Sequence, residues 1–314
     1  HPWLEPVAVV GSPETAGTPY DECRWSLDEE RPPPSDLIIA GLDNLPSLIE
    51  EFQSLGVRII FSALPDEPAE RVERDLAAAG FLVISHAQIH RLQPDVPLIV
   101  PEVNIQHLSL LHKQSGSSDG RLISCSNCMV LPIAITLSPL IQIAGIKSVR
   151  ISTQQALSGG GRMLLARGRT GRHISSEIPG EAESIVTELT KIMSSEFDIE
   201  ASCGRVMRDH GHYARIEVEF EGQVSAHQVI RAWRESYSRS QELNLPSAAN
   251  RPIIFVDGEL DDDHRWVGFE EIEHPAHDLK AAMAVAVGEV EIEGSNLRFS
   301  LMADNTIRGA AGYS

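Results

Sequence analysis

Residues 57–84 read VRIIFSALPDEPAERVERDLAAAGFLVI. Val57-Arg58-Ile59-Ile60-Phe61 is a β-branched, apolar run of strand length. From Glu67 to Ala79 the apolar residues Ala69, Val72, Leu76 and Ala79 fall at steps of 3, 4 and 3, which is one face of a helix. Gly80 follows as its stop. Phe81-Leu82-Val83-Ile84 opens the next strand. Strand, helix and strand of these lengths make a right-handed βαβ unit, and such units build a parallel sheet.

Upstream the grammar is the same. Residues 7–10 and Asp36-Leu37-Ile38-Ile39-Ala40 read as strands, and 46–55 as a short helix ended by Gly56. Downstream it changes. Residues 148–153 read as a strand, and 181–193 as a helix striped by Ile185, Val186, Leu189, Ile192 and Met193. Residues 213–220 alternate through Ile216, Val218 and Phe220, which suits an antiparallel strand with one wet face. A helix over 224–233 and strands over 253–256, 283–292 and 297–301 follow. The expected fold class is α/β for the first part and α+β, with a mostly antiparallel sheet, for the second. The boundary falls near residue 128, giving domains of 1–128 and 129–302. Residues 303–314 are expected to return to the first domain as a helix.

A length of 314 residues agrees with two domains. Lys+Arg is 26 against Asp+Glu 45, a net charge of −19. A field of that sign excludes nucleic acid and anionic membranes as partners. An anionic small molecule must then be held by a few local cations. No apolar run approaches the roughly 18–20 residues of a membrane span. Four unevenly spaced cysteines, Cys23, Cys125, Cys128 and Cys203, do not make a disulfide scaffold, so a soluble protein of the reducing cytoplasm is expected. Both ends read as cut: Trp3-Leu4 runs into the 7–10 strand, and Gly309-Ala310-Ala311-Gly312 reads as a helix start close to Ser314.

The chemistry concentrates in Ser124-Cys125-Ser126-Asn127-Cys128-Met129. A strand ends, a polar turn follows and an apolar helical run begins. Cys128 therefore sits at a helix N-terminus, where unpaired N–H groups stabilise a thiolate nucleophile. An inert buried thiol fits the segment equally well. Cys125-x-x-Cys128 also has the spacing of a reversible disulfide, while a closed zinc site lacks partners. Arg205 to His212 supplies imidazoles for proton transfer and guanidinium groups for a carboxylate, or else forms a solvated turn. Ser158-Gly159-Gly160-Gly161 is a glycine loop that either approaches a ligand closely or is simply flexible. Glu188 and Lys191 stand at i and i+3, the usual spacing of a weak surface pair. The acidic run 259–264 reads as a solvated loop and the basic run 167–172 as a mobile one. No metal site is expected.

Taken in order, eight segments resemble the aspartate-semialdehyde dehydrogenase family, in the branch typical of archaea and fungi. They are His1-Pro2-Trp3; Ser62-Ala63-Leu64-Pro65; Pro94 to Leu98 with Pro101-Glu102-Val103-Asn104; Asn127-Cys128; Gln155-Ala156-Leu157-Ser158-Gly159; Gly211-His212; Leu243 to Ala248; and Asn305 to Gly312. The resemblance implies a Rossmann-like NAD(P)-binding domain, without its first strand and glycine loop, joined to a catalytic and dimerisation domain. It implies NADPH-dependent conversion of L-4-aspartyl phosphate to L-aspartate 4-semialdehyde, on the route to lysine, methionine and threonine. By position, Cys128 resembles the thioester-forming nucleophile, His212 the acid/base and Gln155 the group orienting the acyl carbon. Asn127, Glu188 and Arg205 resemble substrate ligands, and Arg91 and Lys191 phosphate ligands. Ser12, Thr15, Ser62, Ser158, Gly159, Gly160 and Asn305 resemble contacts to NADP, with NAD as an alternative. A homodimer or homotetramer is implied, with a small-molecule substrate. The departures are Glu14 near the site of a 2′-phosphate, Ser126 and Met129 beside the nucleophile, His86 for a usual Asn, and the basic 166–173 loop. A related acyl-CoA reductase of the malonyl-CoA type and a non-catalytic paralogue are the rival readings.

Overall fold

A computed structural model describes residues 2–23, 25, 35–114, 119–267 and 278–314. His1, part of the first quoted segment, lies outside the described residues. Val9–Val10 (β1) and Ile39–Ala40 (β2) pair in parallel. Leu45–Ser54 (α1) is capped by Asn44, whose side chain accepts from Ser47 N–H. Ile59–Ser62 (β3), Asp66–Ala78 (α2) and Leu82–Ser85 (β4) are the βαβ unit read from residues 57–84. Leu98–Ile99 (β5), Pro101–Asn104 (α3) and Arg121–Cys125 (β6) complete a four-stranded parallel sheet in the order β3-β4-β6-β5. Leu45, Leu48 and Phe52 of α1 and Val72 and Leu76 of α2 pack with Val83, Val96 and Leu122. Phe52 meets Phe81 edge-on, with ring centroids 6.1 Å apart.

Val130–Ala144 (α4) carries the chain into the second unit. Then come Ile146–Gln155 (β7), Gly161–Arg169 (α5), Glu181–Met193 (α6), Asp198–Arg205 (β8) and His212–Phe220 (β9). Ala226–Arg234 (α7), Arg239–Glu242 (α8), Ile253–Phe255 (β10), Val285–Glu293 (β11) and Asn296–Ala303 (β12) finish it. The second sheet has the order β10-β11-β12-β9-β7-β8. β11/β12, β12/β9 and β9/β7 are antiparallel, whereas β10/β11 and β7/β8 are parallel, so antiparallel pairs form the majority.

α4 is apolar on nearly every side and lies buried against this sheet with α6 and α7. Trp233 of α7 locks the layer: its Nε1–H donates to the Thr136 carbonyl at 2.9 Å, and its ring lies 5.0 Å from Phe299. The opposite face of the sheet is open and polar. Arg150 reaches both Glu200 and Glu217, Arg298 also reaches Glu217, and Lys147 reaches Glu219. Such exposed pairs add little stability each, about 0–1 kcal/mol.

The end of the chain departs from expectation. β12 runs through to Ala303, where a helix was read, and Ile307–Ala311 forms one π-type turn. Asp304 causes the break: its carboxylate accepts from the Thr306 and Ile307 N–H groups and from the Thr306 hydroxyl. The tail lies against the turns that follow β4 and β6. Tyr313 OH accepts from Ser126 N–H at 3.3 Å, and Ser314 Oγ lies 2.9 Å from His86 Nε2.

Candidate active site

The parallel strands point their carboxyl ends at residues 125–128, the position where open α/β sheets bind ligands. β6 ends at Cys125, and Ser126-Asn127-Cys128 turns the chain into α4. Asn127 Oδ1 accepts from Met129 N–H at 2.7 Å, which fixes the turn just before α4. Cys128 is half-buried and free. Gly309 backs it so closely that a Cβ there would lie 2.6 Å from the Cys128 Cβ. Cys125 is buried and also free, so the two cysteines form no disulfide. Burial pushes the Cys125 thiol up to about 12.

His212, the first residue of β9, is fully buried. Its Nε2 lies 3.2 Å from Cys128 Sγ. The Ala156 N–H donates to its Nδ1 at 3.1 Å. A donor at Nδ1 forces the proton of the neutral ring onto Nε2, facing the sulfur. Burial and the nearby Arg205 guanidinium push His212 down to about 3. Burial, with the Glu181 carboxylate adding, pushes the Cys128 thiol up to about 12, while Arg91 and Arg205 pull the other way. The pair is therefore a neutral thiol and a neutral imidazole at pH 7. Burial outweighs the helix-terminus effect that the sequence reading emphasised.

Asn305 is the hub of this arrangement. Its Oδ1 accepts from Gly211 N–H at 2.9 Å, next to His212, and its Nδ2 donates to Ser158 Oγ at 2.9 Å. The Ser158–Gly160 turn passes so near the imidazole that a Cβ on Gly159 would lie 2.9 Å from His212 Cε1. A glycine there leaves a flat ligand room against the ring. Gln155 is buried, and its Nε2 donates to Glu181 Oε1 at 2.7 Å. Asn127 Nδ2 donates to the same oxygen at 3.0 Å. Arg205 Nη1 donates to the Ala156 carbonyl at 2.7 Å.

Glu188 and Lys191 do not pair with each other. Glu188 is 1% exposed and accepts from Arg91 Nη1 at 2.9 Å, Ser184 Oγ at 3.1 Å and Asn127 N–H at 2.8 Å. Lys191 Nζ donates to the carbonyls of Arg91, Gln93 and Val96 at 2.7–2.8 Å. Its three protons are thus committed, and it ties α6 to the segment after β4. In this geometry the protons of Lys191 and the oxygens of Glu188 are engaged by the protein's own groups. Arg91 keeps Nε without a partner.

Ser62 is buried at the carboxyl end of β3. Ser12 and Thr15 share the turn after β1, with their hydroxyls 3.5 Å apart. A hydrogen bond from Ser12 holds the exposed Glu14 carboxylate below its usual range. The glycine loop and Asn305 suit a nicotinamide ring, and the Ser12–Thr15 turn suits a ribose. Glu14 suits a ribose hydroxyl better than a phosphate.

Glu181, absent from the sequence reading, belongs to this set. The missed signal was a polar stripe, Glu181, Ser184, Glu188 and Lys191, at steps of 3, 4 and 3 along one helix face. Among the described residues no group of three or more His, Cys, Asp or Glu side chains could hold a metal ion. No helix among them is long and apolar enough to cross a membrane.

Residues 1–111 match the family described as semialdehyde dehydrogenase, NAD binding domain. The whole chain is 32% identical to the aspartate-semialdehyde dehydrogenase of Methanothermobacter thermautotrophicus, covering 90% of that protein. It is 30% identical to the malonyl CoA reductase (NADP) of Metallosphaera sedula, with 99% of this chain and 88% of that one covered. The crystal structure of aspartate semialdehyde dehydrogenase with NADP from Candida albicans superposes on the whole chain and 89% of its own, with a TM-score of 0.79 and 26% identity. The order of the motifs, the fold and these similarities agree: the chain belongs to the aspartate-semialdehyde dehydrogenase family.

Proposed function

We propose that the chain converts L-4-aspartyl phosphate to L-aspartate 4-semialdehyde and phosphate through a thioester on Cys128. The observation that carries this reading is the 3.2 Å approach of His212 Nε2 to Cys128 Sγ, 84 residues apart in the chain. Arg205 stands beside the pair without a carboxylate partner among the described residues and is free to bind the substrate carboxylate. Arg91 supplies positive charge toward the departing phosphate, helping to neutralise it in an acidic protein.

Sulfur attacks the acyl carbon, the carbon–oxygen bond to phosphate breaks, and phosphate leaves with that electron pair and the thiol proton. Ser158, Gly159, Gly160 and Asn305 would hold the nicotinamide end of NADPH and Ser12, Thr15 and Ser62 the rest, and the bound cofactor would supply the hydride. His212 Nε2–H then stabilises the sulfur as it leaves with the electrons of the carbon–sulfur bond, freeing the aldehyde. Gln155 orients the acyl group, and the Asn127 turn holds Cys128 in place.

This activity belongs to the synthesis of lysine, methionine and threonine in the cytoplasm, by a homodimer or homotetramer built through the open face of the second sheet. The similarity to the Metallosphaera protein keeps malonyl-CoA as the rival substrate. Phosphate-dependent reduction of NADP by aspartate semialdehyde tests the reading. Turnover by the natural chain and its loss in Cys128→Ala are expected. Activity with malonyl-CoA and none with the aspartyl compounds overturns the substrate, and turnover retained in Cys128→Ala overturns the chemistry.

A further inference from the structure

We infer that Arg308, through its buried ion pair with Glu102, is a positioning residue for Cys128. The inference deepens the reading above, on which it rests for the role of the sulfur.

The Ile307–Ala311 turn is wider than an α-helical one. Ala311 N–H donates to the Thr306 carbonyl at 3.0 Å and Gly312 N–H to the Ile307 carbonyl at 2.9 Å, each five residues back. Single turns of this kind are rare and recur at functional sites. Here the turn presses Gly309 against the nucleophile. A Cβ on Gly309 would lie 2.6 Å from the Cys128 Cβ and 3.0 Å from its Cα. Where Cys128 sits therefore depends on where this turn is held.

Asp304 anchors the start of the turn, and Arg265 pairs with it at 2.7 Å. Arg308, inside the turn, anchors its middle. Its Nη2 lies 2.7 Å from Glu102 Oε1, and the two side chains are only 2% and 5% exposed. Glu102 stands on a firm base. Asn104 pins α3 to β5, accepting from Val100 N–H at 2.7 Å and donating to the Leu98 carbonyl at 2.8 Å. β5 in turn runs beside β6, with Ile99 opposite Cys125. The circuit is closed: β6 leads to Cys128, β5 and α3 carry Glu102, and Arg308 brings the tail back onto Cys128.

Two observations separate positioning from plain stabilisation. Arg308 Nε and Glu102 Oε2 are buried without a hydrogen-bond partner among the described residues. A pair so incompletely satisfied adds little net stability, because desolvation offsets its attraction; what it fixes is the register of the turn. Beside the pair lies a cavity of about 50 Å³, lined by Ser240, Leu245, Met283 and Tyr313 together with the pair itself. It leaves the turn room to withdraw once the pair is lost, so packing alone does not hold Gly309 in place. Arg308 acts on the sulfur only through Gly309.

The test compares the full chain with Arg308→Lys, with Glu102→Gln and with the apolar double variant Glu102→Leu/Arg308→Met. Three readouts are taken. They are oxidation of L-aspartate 4-semialdehyde with NADP and inorganic phosphate, iodoacetamide labelling of Cys128 in the ligand-free protein, and the midpoint of urea unfolding. The double variant is expected to unfold at a near-natural midpoint. Its kcat is expected to fall ~10–100-fold, with the KM for the aldehyde changed by less than about threefold. Labelling of Cys128 is expected to quicken ~3–10-fold as the sulfur loses its backing. Arg308→Lys, which keeps the charge, is expected to recover part of kcat. Should the double variant not fold, Arg308→Lys and Glu102→Gln carry the same comparison with the same signs and smaller size. Natural kcat and natural labelling in the folded variants overturn the inference. So does a loss of activity that only follows the unfolded fraction while folded chains label at the natural rate. If the natural chain oxidises no aldehyde but labelling still quickens in the variants, the proposed reaction fails and the positioning of Cys128 by Arg308 stands.

Discussion

Two regions of the proposed site are built to different standards. Around Cys128 and His212 the polar groups are interlocked: Ala156 on His212, Asn305 on Gly211 and Ser158, and Glu181 on Gln155 and Asn127. At the other end, Ser12 and Thr15 share a surface turn with weak mutual contact, and Glu14 is exposed. On the proposed reading the bond-making atoms sit in an interlocked shell, and the outlying contact for the dinucleotide sits on a surface turn. Substitutions should therefore cost most near the sulfur and least near Glu14.

Gly309→Ala should break the catalytic end hardest. The added methyl must displace Cys128, and a shift near 1 Å should lower kcat ~100-fold, read by steady-state kinetics. A variant with near-natural kcat would show that the backing of Cys128 is soft. Asn305→Leu should follow. It leaves the Gly211 N–H buried without an acceptor, at a cost of about 1–3 kcal/mol in chemical denaturation, and it should lower kcat more than it raises KM. Lys191→Met should cost about 1–2 kcal/mol by removing the donor shared by three carbonyls. As a strut, it should leave the KM for phosphate nearly unchanged; a rise of tenfold or more would make it a ligand after all.

The titration behaviour sharpens the same contrast. With the thiol raised to about 12 from 9.0, the ligand-free protein should react with iodoacetamide at a rate that climbs across roughly pH 7–10 without levelling near 9.0. His212 has its folded value depressed to about 3, so it is neutral throughout that range and adds no inflection near 6.5. A plateau beginning near pH 6.5 would reveal a thiolate–imidazolium pair instead. The smallest effect belongs to Glu14→Ser. Removing an exposed carboxylate from the ribose end should move the NADP-over-NAD preference ~2–5-fold toward NADP in fluorescence titrations.

Much of this architecture was legible where burial writes a period into the sequence. α6 falls on the 181–193 span read from its apolar stripe, with Ile185, Leu189 and Ile192 buried. β8 went unread because it lies at the edge of the sheet and carries only small or charged residues around Ile199. The helix expected after Ala303 failed because Asp304 and Asn305 spend their side chains on backbone groups. At the site, Cys128 and His212 stood out by residue type and motif. Glu188 and Lys191 carried the spacing of a surface pair, yet each turns to a partner on another segment, which spacing cannot report. Glu181 stayed hidden because an acid in a first helical turn ordinarily just complements the helix dipole. The tautomer of His212 depends on one amide, that of Ala156, which only the folded chain brings near.

The most direct test of the central claim is intact-protein mass spectrometry after acid quenching, with aspartate semialdehyde and NADP supplied and phosphate withheld. The account predicts an aspartyl thioester adduct on Cys128 that accumulates without phosphate, is discharged when phosphate is added, and is absent from Cys128→Ala. An adduct on another residue, or turnover by Cys128→Ala without any adduct, would contradict it.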